Sequence, residues 1–251
     1  MLQHAPYADA SGPVILIVPD LSCSAAGSGE SEYTLRANYI SAVAEAGGVA
    51  LIVPIRLAQL TQVLGMADGV LITGSRPGMD VLDERTIFER ALVNASLAAR
   101  IPLLGICHGM QLIGECLGGR VIRDDPLLNR EITLHIPREI PDFTAHDITI
   151  EPDSQLFALH GEPSAQVNSL HRHALAETGR FRVVARAPDG LVEAIEADQG
   201  GFCLGVQWHP EYRVSDIDQR ILRGFVAKCA ERAAESAALR FGPQANHEAG
   251  C

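Results

Sequence analysis

The chain has 251 residues, long enough for one large α/β domain or two small ones with a sizeable core. With 47% hydrophobic and 20% charged residues and a formal net charge of −11, it suits neither nucleic acid nor an anionic membrane as its main partner. No stretch approaches the ~18 unbroken apolar residues of a membrane span, and the opening MLQHAPYADASG has neither the basic nor the apolar region of a signal peptide.

In chain order, the β-branched run Val14-Ile15-Leu16-Ile17-Val18 reads as a strand covered on both faces. Residues 33–46 read as a helix, with Leu35, Tyr39, Ile40 and Val43 at helical spacing and Gly47-Gly48 as its stop. Residues 49–53 and 69–73 give a second and a third strand, residues 84–99 a helix, and residues 101–106 a fourth strand. This β-α-β-α-β order predicts an α/β fold: a mostly parallel sheet with helices on both faces. From Arg120 onward short strands dominate, at 121–122, 146–150, 181–186, 191–196 and 202–206, which adds antiparallel pairing in the C-terminal half. Pro188-Asp189-Gly190 is a hairpin turn between two of these strands. A last helix starts after Ser215, with Asp218 as its capping-box partner, and runs to about residue 240. Without repeats or low-complexity linkers, the chain is expected to form a single domain, its core spanning about 13–240 and a polar tail 241–251.

Residues 102–119, PLLGICHGMQLIGECLGG, change character halfway. An apolar strand ends at Gly105, the chain turns at Cys107, and a helix leaves with Gln111, Leu112 and Glu115 on it. G-x-C-x-G between strand and helix is the cysteine form of a nucleophile elbow. The helix start favours thiolate there. A buried structural cysteine in a Gly-rich turn is the plainer alternative. The six cysteines (Cys23, Cys107, Cys116, Cys203, Cys229, Cys251) are scattered without a CxxC pair, as suits reduced thiols of a cytoplasmic protein.

A nucleophilic cysteine needs a base, and the base an orienting group. Gly205-Val206-Gln207-Trp208-His209-Pro210-Glu211 offers both, because an apolar strand ending at His209 carries the imidazole to the same sheet edge as Cys107. In an extended stretch, His209 and Glu211 project from one side, and Pro210 stiffens the pair. A histidine merely satisfied in a surface turn is the alternative there.

CxGxQ at Cys107–Gln111 together with HPE at His209–Glu211 resembles the class I glutamine amidotransferase family. VNSLH (167–171), PDGLVEAIE (188–196), GVQWHPE (205–211), Tyr39 with Ala46-Gly47-Gly48, and DGVLITGS (68–75) resemble its γ-glutamyl-γ-aminobutyrate hydrolase branch, peptidase C26. The likeness covers roughly residues 13–230. It implies a flavodoxin-like sheet, no metal or organic cofactor, and a triad of Cys107 as nucleophile, His209 as base and acid, and Glu211 as orienter. It further implies an oxyanion hole from the backbone of His108 and the Gly74-Ser75 turn. Substrate contacts would come from Gln111, Asn168, Ser169 and His171, although a structural role for His171 and His173 stays open. The latter two have no third ligand at metal spacing, so no zinc site is expected.

Two departures flank the leaving-group side. RPGMDVLDER (76–85) is shorter than the branch's loop and lacks its YGE, and His108 stands where arginine is common. The short loop predicts a loose amine pocket, unless Arg76 or Arg85 pairs with a carboxylate on the amine. The expected reaction is hydrolysis of a small γ-glutamyl amide through a cysteine thioester, in the cytoplasm, by a possible homodimer. A glutaminase subunit serving a separate synthetase and a non-catalytic binding module are the alternatives. This chain carries no GxxxxGK[ST] loop of its own.

Overall fold

The computed structural model describes residues 12–23, 30–75, 83–122, 135, 142–176, 179–197 and 201–241. The strands in chain order are β1 (Val14–Val18), β2 (Asp20–Cys23), β3 (Ser31–Thr34), β4 (Val49–Ile52), β5 (Gly69–Ile72), β6 (Leu103–Ile106) and β7 (Val121–Ile122). They continue with β8 (His146–Ile150), β9 (Ser164–Val167), β10 (Ala174–Leu175), β11 (Phe181–Arg186), β12 (Val192–Ala197) and β13 (Cys203–Val206). Nine of them form one sheet in the order β4-β1-β5-β6-β13-β12-β11-β8-β9. Pairing is parallel from β4 to β13 and antiparallel from β13 to β9, as the strand pattern predicts.

The continuous apolar runs are explained by burial on both faces. Ile15 and Ile17 enter one core with Tyr39 and Val43 of helix α1 (Ala37–Glu45). Their neighbours Leu16 and Val18 enter the other. That second core is closed by Phe88 and Leu92 from α3 (Asp83–Ala98; α2 is the short Leu60–Leu64) and by Met110 and Ile113 from α4 (His108–Cys116). On the first face lie α5 (Gln155–His160) and α6 (Asp216–Phe241), whose Phe225 and Cys229 pack into the core. At the start of α6, Asp218 reaches back to the N–H of Ser215 at 3.1 Å, half of the expected capping box. Its other oxygen accepts from Trp208 Nε1 at 3.0 Å, tying the helix to the segment after β13.

The first predicted helix is shorter than its pattern suggested. Residues 31–34 pair with β2, Leu21 opposite Tyr33, and the helix starts only at Ala37. Apolar spacing registered the face but not the competing backbone partner. Gly47, at φ 94°, ends the helix as expected.

Two glycines set how closely α4 lies on the sheet. A Cβ on Gly109 would stand 2.3 Å from the Ile72 carbonyl oxygen, and one on Gly105 would stand 2.6 Å from the Gly109 carbonyl carbon. Backbone touches backbone here, so no side chain fits. The carboxyl ends of β5, β6 and β13 are therefore adjacent and level, with Ile72 opposite Gly105 and Ile106 opposite Val206.

Candidate active site

Cys107 leaves β6 in a strained left-handed conformation, φ 53° and ψ −103°, and is the N-cap of α4. Its N–H donates to the Val206 carbonyl at 2.8 Å, which pins the elbow to β13. The sulfur lies 3.5 Å from the Gln207 amide nitrogen, a donor, and 3.9 Å from the Leu170 carbonyl. Three residues past the end of β13, His209 points Nδ1 at Glu211 Oε1, 2.8 Å away, with both side chains buried. The pair is held by a single 3₁₀ turn, Pro210–Tyr212, rather than by the extended stretch that spacing suggested. Asn168 clamps the histidine backbone from both sides, accepting from its N–H at 2.8 Å and donating to its carbonyl at 2.9 Å.

Gly74, past the end of β5, completes the convergence. A Cβ there would lie 3.0 Å from His209 Cε1 and 3.6 Å from Cys107 Cβ, so Gly74 lies beside both side chains. A cleft of about 300 Å³ opens beside them, walled by Asp20, Arg36, Tyr39, Gly74, Ser75 and His209.

The family model for peptidase C26 matches residues 13–211. This chain belongs to peptidase family C26. It is 34% identical over 252 residues to γ-glutamyl-γ-aminobutyrate hydrolase PuuD of Escherichia coli K12, covering 91% of this chain and 98% of that one. Protein NtpR of Enterococcus hirae is 30% identical over 206 residues, covering 75% of this chain and 86% of NtpR. A solved structure from Thermoplasma acidophilum, described provisionally as one of the subunits of a GMP synthase, superposes with a TM-score of 0.64 at 18% identity. It covers 89% of this chain and 98% of its own, and the likeness is one of fold. The protein is thus a C26 hydrolase with the α/β architecture its strand pattern predicts. Among the described residues, no helix is long and apolar enough to cross a membrane.

Electrostatics in this C26 chain favour a charged His209 imidazole. Burial works against the His209 imidazolium, but the Glu211 carboxylate and the Cys107 sulfur outweigh it and raise its pKa well above the usual histidine range. Folded His209 therefore holds a proton that the unfolded chain releases near pH 6.5. Its stabilising contribution is complete below that pH and is lost as pH rises through the folded pKa. Relative to His209→Gln, the wild-type melting temperature is expected to fall as pH is raised from 6.5, measured by differential scanning fluorimetry. A pH-independent difference between the two proteins would contradict a charged imidazole.

The other predicted site residues take less direct positions. The Gly74 N–H donates to Tyr39 Oη at 3.1 Å. His108 opens α4, so its N–H has no acceptor within the helix. The His108 ring meets Glu89 Oε2 at 2.9 Å. Gln111 is buried and gives its amide hydrogens to Gln207 Oε1 and the His173 carbonyl, each at 3.0 Å. Asn168 holds His209, Ser169 donates to the His135 carbonyl at 3.0 Å, and His171 lies 3.4 Å from Glu193. All three are buried, and the contacts expected to reach substrate are spent inside the protein.

Arg85 corrects a sequence-based alternative. It is fully buried, paired with Asp20 and, at 2.9 Å, with Glu89, and within 3.4 Å of the Thr73 carbonyl. Arg85 therefore has no freedom to meet a substrate carboxylate, whereas Arg76 lies outside the described residues. Sequence reasoning missed Gln207 as the donor to the Cys107 sulfur, although it lies only two residues before His209 in the same segment. It also missed a group with metal-ligand potential. Folding brings His135, His146 and Glu193 together, one donor atom from each within 4.8 Å of the others.

Proposed function

We propose that this hydrolase cleaves the γ-glutamyl amide bond of small γ-glutamyl-amines through a Cys107 thioester. The supporting observation is the joint placement of Cys107 at the start of α4 and the buried His209–Glu211 pair at the neighbouring strand end. Thiolate attacks the amide carbonyl and the C–S bond forms, with the His108 N–H at the helix start facing the oxygen that gains charge. The imidazolium passes its proton to the departing nitrogen as the C–N bond breaks and the amine leaves. Water, deprotonated by His209, then attacks the thioester, releasing glutamate and restoring the thiolate.

On the amine side, the cleft wall offers an exposed cation, Arg36, whose Nη1 donates to Tyr212 Oη at 2.8 Å. A carboxylate on the leaving amine, as in γ-aminobutyrate, finds its partner there. The test is an amine-release assay on γ-glutamyl-γ-aminobutyrate, γ-glutamyl amides of uncharged amines, and glutamine. Arg36→Ala is expected to raise KM for the carboxylate-bearing substrate about two- to fivefold, as an exposed pair worth up to about 1 kcal/mol dictates, and to leave the uncharged amides unchanged. Ammonia release from glutamine faster than any amine release would overturn the reading in favour of a glutaminase.

A further inference from the structure

His135, His146 and His171 surround the buried carboxylate of Glu193. Glu193 Oε1 lies 3.5 Å from His135 Nδ1, 3.8 Å from His146 Nε2 and 3.4 Å from His171 Nε2. The rings lie against each other, His135 with centroids 4.6 Å from His146 and 4.7 Å from His171. The far nitrogen of each ring meets an acceptor. His135 Nε2 is 2.8 Å from Asp189, His146 Nδ1 is 3.0 Å from the Asp147 carbonyl, and His171 Nδ1 is 3.1 Å from the His173 carbonyl. Protons on those far nitrogens leave bare lone pairs facing Glu193. The Ser169 hydroxyl, 3.3 Å from His135 Nδ1, donates to the His135 carbonyl. Among the described residues, both Glu193 oxygens and the inner nitrogens of His146 and His171 make no hydrogen bond, although all four atoms are buried.

Four acceptors turned toward one another repel, and burial makes that costly. A cation among them reverses the sign. We propose that His135, His146, His171 and Glu193 form a site for a divalent transition-metal ion of the zinc class. Oε1 stands from each ring nitrogen about as far as ligands 2.0–2.1 Å from a tetrahedral zinc stand from one another, about 3.4 Å, and the donor atoms of His135, His146 and Glu193 all lie within 4.8 Å of one another. Charge suits it too, since the Glu193 and Asp189 carboxylates lie against the rings. The carboxylate and carbonyls behind the rings are the outer partners that hold ligating histidines in one tautomer.

This site lies beside the catalytic centre and shares a segment with it. His171 is one residue from Leu170, whose carbonyl touches the Cys107 sulfur. The His173 carbonyl takes both His171 Nδ1 and the Gln111 amide, and Gln111 in turn bonds Gln207, the donor to Cys107. The metal therefore acts as a clamp that positions residues 168–173 against the nucleophile.

The test uses the full chain carrying Cys107→Ser, so that no active-site thiolate competes for metal. The chelator-stripped protein is titrated with Co²⁺ and Zn²⁺. One equivalent of Co²⁺ is expected to bind with the visible absorption of four-coordinate cobalt and without a thiolate charge-transfer band, and Zn²⁺ to raise the melting temperature. His146→Gln and Glu193→Gln are expected to weaken binding at least tenfold, and Asp189→Asn, behind His135, about 10–100-fold. Should the buried variants fail to fold, titration of the Cys107→Ser parent and of Asp189→Asn still decides. Folded parent protein that takes up neither metal would overturn the proposal, as would binding of equal strength in every folded variant.

Discussion

Cys107→Ser is expected to abolish hydrolysis, lowering kcat by at least about 10³-fold while leaving the fold intact. The hydroxyl is nearly isosteric with the thiol, and the elbow is held by backbone contacts, the N–H of Cys107 on Val206 and Gly109 against Ile72. What is lost is the sulfur that the helix start and His209 activate. Iodoacetamide should label Cys107 ahead of Cys116, Cys203 and Cys229. Burial raises the pKa of each of those three thiols, that of Cys203 to about 12, and keeps them protonated. Within the same series Glu211→Ala should cost less than His209→Ala, since Glu211 acts only by orienting and charging the ring. Full activity in Cys107→Ser, or labelling spread evenly over the thiols, would refute the nucleophile.

The largest stability effect is expected at Arg85. Its guanidinium is buried between Asp20 and Glu89, and Glu89 also carries His108 at 2.9 Å. Arg85→Ala leaves the buried Glu89 carboxylate without its main counter-charge, a loss of about 3–5 kcal/mol. For a chain of this size that lowers the melting temperature by roughly 6–20 °C. Burial alone would raise the Glu89 pKa, but Arg85 and His108 together hold it below the usual carboxylate value of 4.5. The stabilisation is therefore present above pH 4.5 and lost as pH falls through the lower folded value, so the Arg85→Ala penalty should shrink in acid. Turnover should fall as well, because Arg85 also contacts the Thr73 carbonyl and hydroxyl at 3.4 and 3.3 Å and so braces the turn that leads to Gly74. A melting temperature unchanged in Arg85→Ala would show that the cluster contributes little.

Local signals in the sequence were enough for the sheet and for the two segments that carry Cys107, His209 and Glu211. Each parallel strand is a short apolar run buried on both faces, and a strand of that kind needs no information from its neighbours to be legible. Cys107 stands at a strand–helix corner whose glycines are set by contact with Ile72 and Gly109, and the HPE segment holds the paired His209 and Glu211 two residues apart. Tertiary structure alone decided what the polar residues do. Residues 31–34 became a strand because β2 offered a backbone partner, and Arg85 turned inward because Asp20 and Glu89 lay there. Asn168, Ser169 and Gln111 serve His209, His135 and Gln207 rather than the cleft. His135, His146 and His171 meet Glu193 only because separate strands and loops converge on β12. A buried polar group takes whatever partner folding brings to it, and that partner, 22 to 58 residues away around Glu193, leaves no periodic trace in the chain.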